Sequence, residues 1–321
     1  MADTTRSLAA LQALLADNSS GDISAQDARD FLVSTYKPQT WNPGGRLTLT
    51  TAVPVTTADV TAAGTLYYTP YLHNGVPLYD GTSWTWHTFT ERSLSLSVTS
   101  GTNYDVFLYD NSGTLTLELT AWTNGTTRAT ALTRQDGVWV KDGATTRLYL
   151  GTIRASGSNV TEDSGGGSTT QVGGKRFVWN AYNRVPRTLA VKDTTDSWTY
   201  STASWRQANA ASGNKVETVS GLSGAVLRLR LHGFAATGQI AASQVAIGED
   251  STSAPVSEGV LAGSAATAND WIMPAYDLEK YPSVGYHAWN WLEKGFGSGT
   301  QTWYGDDGGL GKYGIMGSID G

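Results

Sequence analysis

Cysteine is absent from this 321-residue chain. That excludes a disulfide framework, thiol catalysis, cysteine-ligated zinc and cysteine-held iron–sulfur clusters. Charge is sparse: Asp, Glu, Lys and Arg make up 16% of the residues, against about 25% in an ordinary globular protein. The net charge is −6, and with no basic block nucleic acid is not expected as a main partner. No apolar run approaches the roughly 18 residues of a membrane span, so membrane insertion is not expected. The opening residues carry one Arg and lack the apolar core and cleavage pattern of a secretory signal. His73, His87, His232 and His287 are scattered, with no H-x-H or H-E-x-x-H spacing, so no metal site is expected. Neither a Walker loop nor a G-x-S-x-G nucleophile turn occurs. Gly309, Gly311 and Gly314 spell G-x-G-x-x-G, but a dinucleotide fingerprint needs a helix after it, and seven residues follow Gly314. Those glycines read as a closely packed tail. No cofactor and no catalytic residue is assigned.

What is present is Thr, Ser and Gly: 43, 29 and 37 residues, about a third of the chain. Twelve Trp and 15 Tyr accompany them. Thr and aromatics favour strands and Gly marks turns and bulges, so the composition is that of a mainly β protein with many tight turns. The acidity is uneven. Residues 249–321 hold ten acids and three bases, whereas the other 248 residues hold 18 acids and 19 bases. All of the excess negative charge therefore lies in the C-terminal quarter.

The chain opens on two short helices. Leu8, Leu11 and Leu15 fall on one face of a helix over 5–18. Ser24 and Asp27 form an S-x-x-D capping box for a second helix, whose apolar side includes Phe31 and Leu32 and which Pro38 closes. Such a helical hairpin needs something to dock on, either its own β region or a larger assembly. From residue 46 to 153, eight strand-length stretches alternate with turns. Leu115, Leu117 and Leu119 alternate with Thr116, Glu118 and Thr120; Asp110 to Gly113, Asn124 with Gly125, and Asp142 with Gly143 read as hairpin turns. Residues 156–174 hold almost no apolar side chain and read as a linker. A second, less regular β segment follows. The expected organisation is a helical anchor over 1–40, a first antiparallel β-sandwich or jelly-roll-like domain over 41–155, a Gly/Ser-rich linker over 156–175 and a second such domain over 176–321.

Two features of the acidic quarter carry chemistry. Asp306 with Asp307, and Glu249 with Asp250, offer paired carboxylates that also suit solvated turns. Trp289 and Trp291 share a strand face next to His287, and Trp303, Tyr304, Asp306 and Asp307 cluster in sequence. An indole packs on the C–H face of a sugar while a carboxylate accepts from its hydroxyls, which makes these six residues candidate glycan contacts. The same tryptophans also suit a core or a subunit interface.

Several strings resemble a recurring module of the virion fibres of tailed bacteriophages: LTLTTAVPVTTADVTAAGTLYYTPYLHNGVPLYDGTSW, YDVFLYDNSGTLTLELTAWTNGTTRATAL, DGVWVKDGATTRLYLGTIRAS and KRFVWNAYNRVPR, with DSWTYSTASWRQAN, GYHAWNWLE and TWYGDDGG further on. The helical opening DISAQDARDFLVS resembles a segment of many phage structural proteins. The resemblance covers about 280 residues of the chain. It implies a fibre or spike located in the virion and assembled as a homotrimer. Its N-terminus (Leu8, Leu11, Leu15, Phe31, Leu32) would meet other virion proteins of the tail, baseplate or capsid, and its outward C-terminal part would meet host cell-surface carbohydrate. It brings no catalytic motif, so no enzymatic activity is expected. A head fibre or capsid decoration protein is an alternative. A polysaccharide-degrading tailspike is another, and against it stands the absence of any repeat of 20–25 residues of the kind a long parallel β-helix shows.

Overall fold

The computed structural model describes residue 13 and residues 23–35, 42–167, 172–238, 241–262, 265–266, 270–306 and 311–321. The chain divides into two compact units, Met1–Asn42 and Pro43–Gly321.

In the first unit a helix runs over Ala25–Thr35. It starts there because Ser24 caps it. The Asp27 N–H donates to Ser24 Oγ, and the Asp27 carboxylate accepts from the Ser24 N–H (2.9 Å) and hydroxyl (2.7 Å). Two otherwise orphaned donors are satisfied reciprocally, as the sequence spacing implied. Phe31 is exposed on this helix and Leu32 lies within it. Leu8, Leu11 and Leu15 lie outside the described residues; Ala13 is helical.

The second unit is mainly β, built from large curled sheets. Its middle is the hairpin Asn103–Asn111 and Thr114–Ala121, with Ala144–Gly157 on the other side of the first strand. These strands serve two cores at once. Val106, Leu108, Leu148 and Leu150 join one cluster with Leu47, Leu66, Tyr68 and Val76, whereas Phe107 and Tyr149 join the other with Trp179, Leu229, Trp289 and Trp291. Successive side chains of a strand point to opposite faces, so the runs Val106-Phe107-Leu108 and Leu148-Tyr149-Leu150 are apolar throughout because both faces are covered.

That arrangement corrects the expected linker. Residues 156–175 are largely two strands, Val160–Gly166 and Gly173–Arg176, hydrogen-bonded to each other and continuing the same sheet. The two halves share a wall of strands and form one compact unit. The glycines that read as flexible are there for close approach. A Cβ on Gly173 would run into the Lys215 carbonyl oxygen, and Gly166 has φ +70.

The strand Gly285–Lys294 lies in the middle of the second half. It pairs with Lys215–Ser220 on one edge (Val216 opposite Trp289, Thr218 opposite His287) and with Gln244–Glu249 on the other (Glu249 opposite Trp289, Ile247 opposite Trp291). Gly314–Asp320, the glycine-rich tail, is an interior strand between Pro186–Lys192 and Leu227–His232. A small four-stranded sheet, in the order Ser197–Thr199, Gln301–Tyr304, Ala235–Thr237 and Trp271–Ile272, flanks this region.

Candidate functional site

The six glycan-contact candidates separate in space. Trp289, Trp291 and Trp303 are each at most 1% exposed, so they are core side chains; this corrects their assignment as surface contacts. The cause is alternation: on Gly285–Lys294 the positions 287, 289 and 291 face inward together. Trp289 donates its indole N–H to Thr218 Oγ at 3.0 Å and Trp303 donates to the Tyr200 carbonyl at 2.9 Å. Trp291 meets Trp198 edge to face at 6.2 Å. Beneath them Glu293 is fully enclosed, accepting from Trp198 Nε1 at 2.7 Å and paired with Arg206 at 2.7 Å. Burial pushes its carboxyl above the usual range, more than the Trp198 and Arg206 contacts draw it down. Asp307 lies outside the described residues.

Tyr304 and Asp306 belong to a different environment. On Gln301–Tyr304 the side chain after buried Trp303 points to the opposite face, and there Tyr304 joins a group of rings. Trp271 stacks on Phe234 (centroids 4.7 Å, 28° between planes) and on Tyr304 (5.3 Å, 20°), and Phe234 lies 5.3 Å from Tyr304. Tyr313 stacks on Phe234 from 4.9 Å. Three centroids about equally spaced define a triangle, so Phe234 and Tyr304 lie against the same side of the indole. The other indole face is not covered by these rings, and Trp271 is 52% exposed. Met273, two residues on, is 69% exposed, while Ile272 between them is buried. Beyond Tyr304, Asp306 meets Lys312 at 3.6 Å, both side chains partly exposed.

The result is an indole plate held on an aromatic backing, with a carboxylate and an ammonium two and eight residues past Tyr304. An uncovered indole face can stack on the apolar C–H face of a ring ligand; a carboxylate accepts hydroxyl hydrogen bonds. Because Phe234 and Tyr304 fix the indole, little rotamer entropy is lost on contact. The sequence reading missed Trp271. Its signal was the alternation Trp271, Ile272, Met273, which places two large apolar side chains on the face opposite a core isoleucine. Among the described residues no group of three His, Asp or Glu side chains is placed to hold a metal ion.

No family model matches the chain, and no curated protein matches it. Among solved structures, a Bacillus thuringiensis Cry1Da tryptic core variant aligns at 7% identity with a TM-score of 0.18, covering 81% of this chain and 48% of that one. The Bacillus thuringiensis insecticidal delta-endotoxin Cry8Ea1 aligns at 7% identity with a TM-score of 0.09, covering 86% and 55%. The chain thus spans about half the length of the solved chains it matches. Likeness at this level carries no argument about the fold or its use.

Proposed function

We propose that this chain is a structural virion protein, a fibre or spike of a tailed bacteriophage that displays a glycan-binding β unit to the host surface. The string-by-string resemblance to phage fibre modules supports the class. A cysteine-free, Thr/Ser/Gly-rich β unit with two cores suits a particle that meets harsh surroundings. In this reading the N-terminal residues fold as a helical hairpin that docks on tail, baseplate or capsid proteins. The β unit, two sandwich-like halves sharing a wall, assembles as a homotrimer that covers its strand edges.

The observation that carries the recognition step is Trp271, half exposed and stacked on an aromatic backing. It takes over the role expected of the buried tryptophans, while Tyr304 and Asp306 keep theirs. Recognition needs no reaction and no cofactor. The test is binding of the purified full-length chain to host cells and to extracted host polysaccharide. Trp271→Ala is expected to lose about 2 kcal/mol, roughly thirtyfold in affinity. Wild-type affinity in a folded Trp271→Ala protein would remove this site.

A further inference from the structure

The turn 281–284 joins the strands Ala275–Lys280 and Gly285–Lys294, and at its tip Ser283 is exposed. Ser283 Oγ lies 3.0 Å from Nε2 of His287, a buried side chain on the second strand. The other ring nitrogen, Nδ1, lies 2.8 Å from Asp250 Oδ2. Asp250 follows the strand Gln244–Glu249 in the left-handed region, with φ 51. Its remaining oxygen accepts the Ala288 N–H at 2.7 Å, and its own N–H donates to the Ala288 carbonyl at 2.8 Å. The carboxylate is thereby held in one orientation against the imidazole. Ser220 Oγ donates to the Ser283 carbonyl at 3.1 Å and pins the turn. A serine and a histidine four residues apart, and an aspartate from the end of the paired strand, thus stand in hydrogen-bonded sequence, with the serine open to solvent.

We propose that Ser283, His287 and Asp250 form a nucleophile, base and orienting group that transfer acyl groups from small carboxylic esters to water. The inference is independent of glycan recognition at Trp271. Asp250 accepts the Nδ1–H of neutral His287, which leaves the Nε2 lone pair facing the serine hydroxyl. Ser283 Oγ bonds to the ester carbonyl carbon as Nε2 takes the hydroxyl proton. The carbon–alkoxide bond breaks and the leaving alcohol carries that proton away, leaving an acyl-serine. Water then attacks the acyl carbon by the same route, releases the acid and restores the hydroxyl. Ser283 stands at the surface, so the substrates are esters approached from solvent, an acetyl ester being the smallest. Such constellations are recognised by geometry and not by a sequence motif, which is why the missing G-x-S-x-G does not bear on it.

The proton balance at His287 sets when the serine is active. Nε2 also lies 3.1 Å from the Ser283 carbonyl oxygen. Charged His287 donates there and cannot act as a base; neutral His287 accepts from the hydroxyl. Burial alone would favour the neutral ring, but the Asp250 hydrogen bond and the charges of Asp250 and Glu249 outweigh it and raise the pKa above the ordinary value. Glu249 is 3.5 Å from Nδ1 and is itself paired with Lys280 at 2.9 Å. On the neighbouring strand Glu217 is taken up by Lys215 and by the Tyr286 hydroxyl. Activity should therefore rise with pH through a value above about 6.5.

The experiment uses the full-length chain with a fluorophosphonate probe and with 4-nitrophenyl acetate. Expected are a single probe adduct mapped to Ser283 and nitrophenolate release that increases through the His287 titration. Ser283→Ala, a change at an exposed position, should abolish the adduct with an unchanged melting temperature. Asp250→Asn and His287→Gln should lower turnover by about 100-fold or more. A folded wild-type protein that takes no probe, or a Ser283→Ala protein that hydrolyses the ester at the wild-type rate, would overturn the proposal.

Discussion

Asp163 and Arg187 form an ion pair of 2.7 Å inside the β unit. The second oxygen of Asp163 takes Arg176 at 3.0 Å, and none of the three side chains is more than 10% exposed. Asp163 lies in the segment whose composition reads as a linker, and its strand is tied into the sheet by this pair. Arg187 also donates to Thr56 Oγ at 3.0 Å, and burial, with the nearby Arg187 charge adding to it, lowers the Arg46 guanidinium to about 10. Removing the carboxylate leaves Arg176 and Arg187 buried without their counter-charge. Asp163→Ala is expected to cost about 3–5 kcal/mol, read as a lowered denaturant midpoint. A loss below about 1 kcal/mol, the level of a surface pair, would mean that residues 160–166 are not built into the core.

Trp303 and Trp271 lie on strands of the same small sheet and should respond oppositely to truncation. Trp303 fills the core and donates a hydrogen bond to Tyr200, so Trp303→Ala is expected to lose about 3–5 kcal/mol of stability. Trp271 is half exposed and gives up mainly its stacking on Phe234 and Tyr304, about 0.5–1.5 kcal/mol per aromatic pair. Thermal melts of the two variants check the ordering. Equal destabilisation would place Trp271 in the core and remove it as a recognition surface.

The elements legible in the sequence were those set by local chemistry. Ser24 and Asp27 mark the start of a helix because capping needs only residues three apart. Asp110, Ser112 and Gly113 mark a hairpin: Ser112 and Gly113 both have positive φ (52 and 90), and Asp110 Oδ1 accepts the Gly113 N–H at 2.7 Å. What was hidden depends on distant partners. Gly166, Gly173 and Gly174 look like flexible linker residues, but Lys215, Gly165 and Ala190 pass so close that no side chain fits. Likewise Trp289 and Trp303 look like ligand contacts beside acidic neighbours, and only the sheet register shows that they face the core while Trp271, remote in sequence, joins Tyr304. The relay of Asp250, Ser283 and His287 was invisible for the same reason: strand pairing, not spacing, brings Asp250 to His287.

Deleting residues 1–37 should separate attachment from folding. The unit Pro43–Gly321 holds the described members of both hydrophobic clusters, which begin at Leu47. The truncated chain is therefore expected to remain soluble with a cooperative melt. In the fibre reading it should fail to join particles, measured by its absence from purified virions in a complementation assay. Incorporation at the full-length level would place the attachment elsewhere in the chain.

His287 has a folded pKa above its ordinary value, because the Asp250 hydrogen bond and the nearby carboxylates outweigh burial. Asp250 has a folded pKa below its ordinary value, because the His287 and Ala288 hydrogen bonds outweigh its own burial. A raised histidine contributes stability that is fully present below the unfolded pKa of about 6.5 and is lost as pH rises through the folded value. A depressed aspartate contributes stability present above about pH 3.9 and lost as pH falls through its folded value. The pair therefore stabilises most between about pH 4 and 6.5 and progressively less above. His287→Gln removes the charge, and the other three histidines are common to both proteins. The melting-temperature gap between wild type and His287→Gln should be widest near pH 5.5 and should narrow steadily towards pH 9, both roughly placed by the ordinary histidine value. A gap that stays constant across this range would show that His287 carries no proton-linked contact with Asp250, and would remove the charged form from the account of the Ser283 turn.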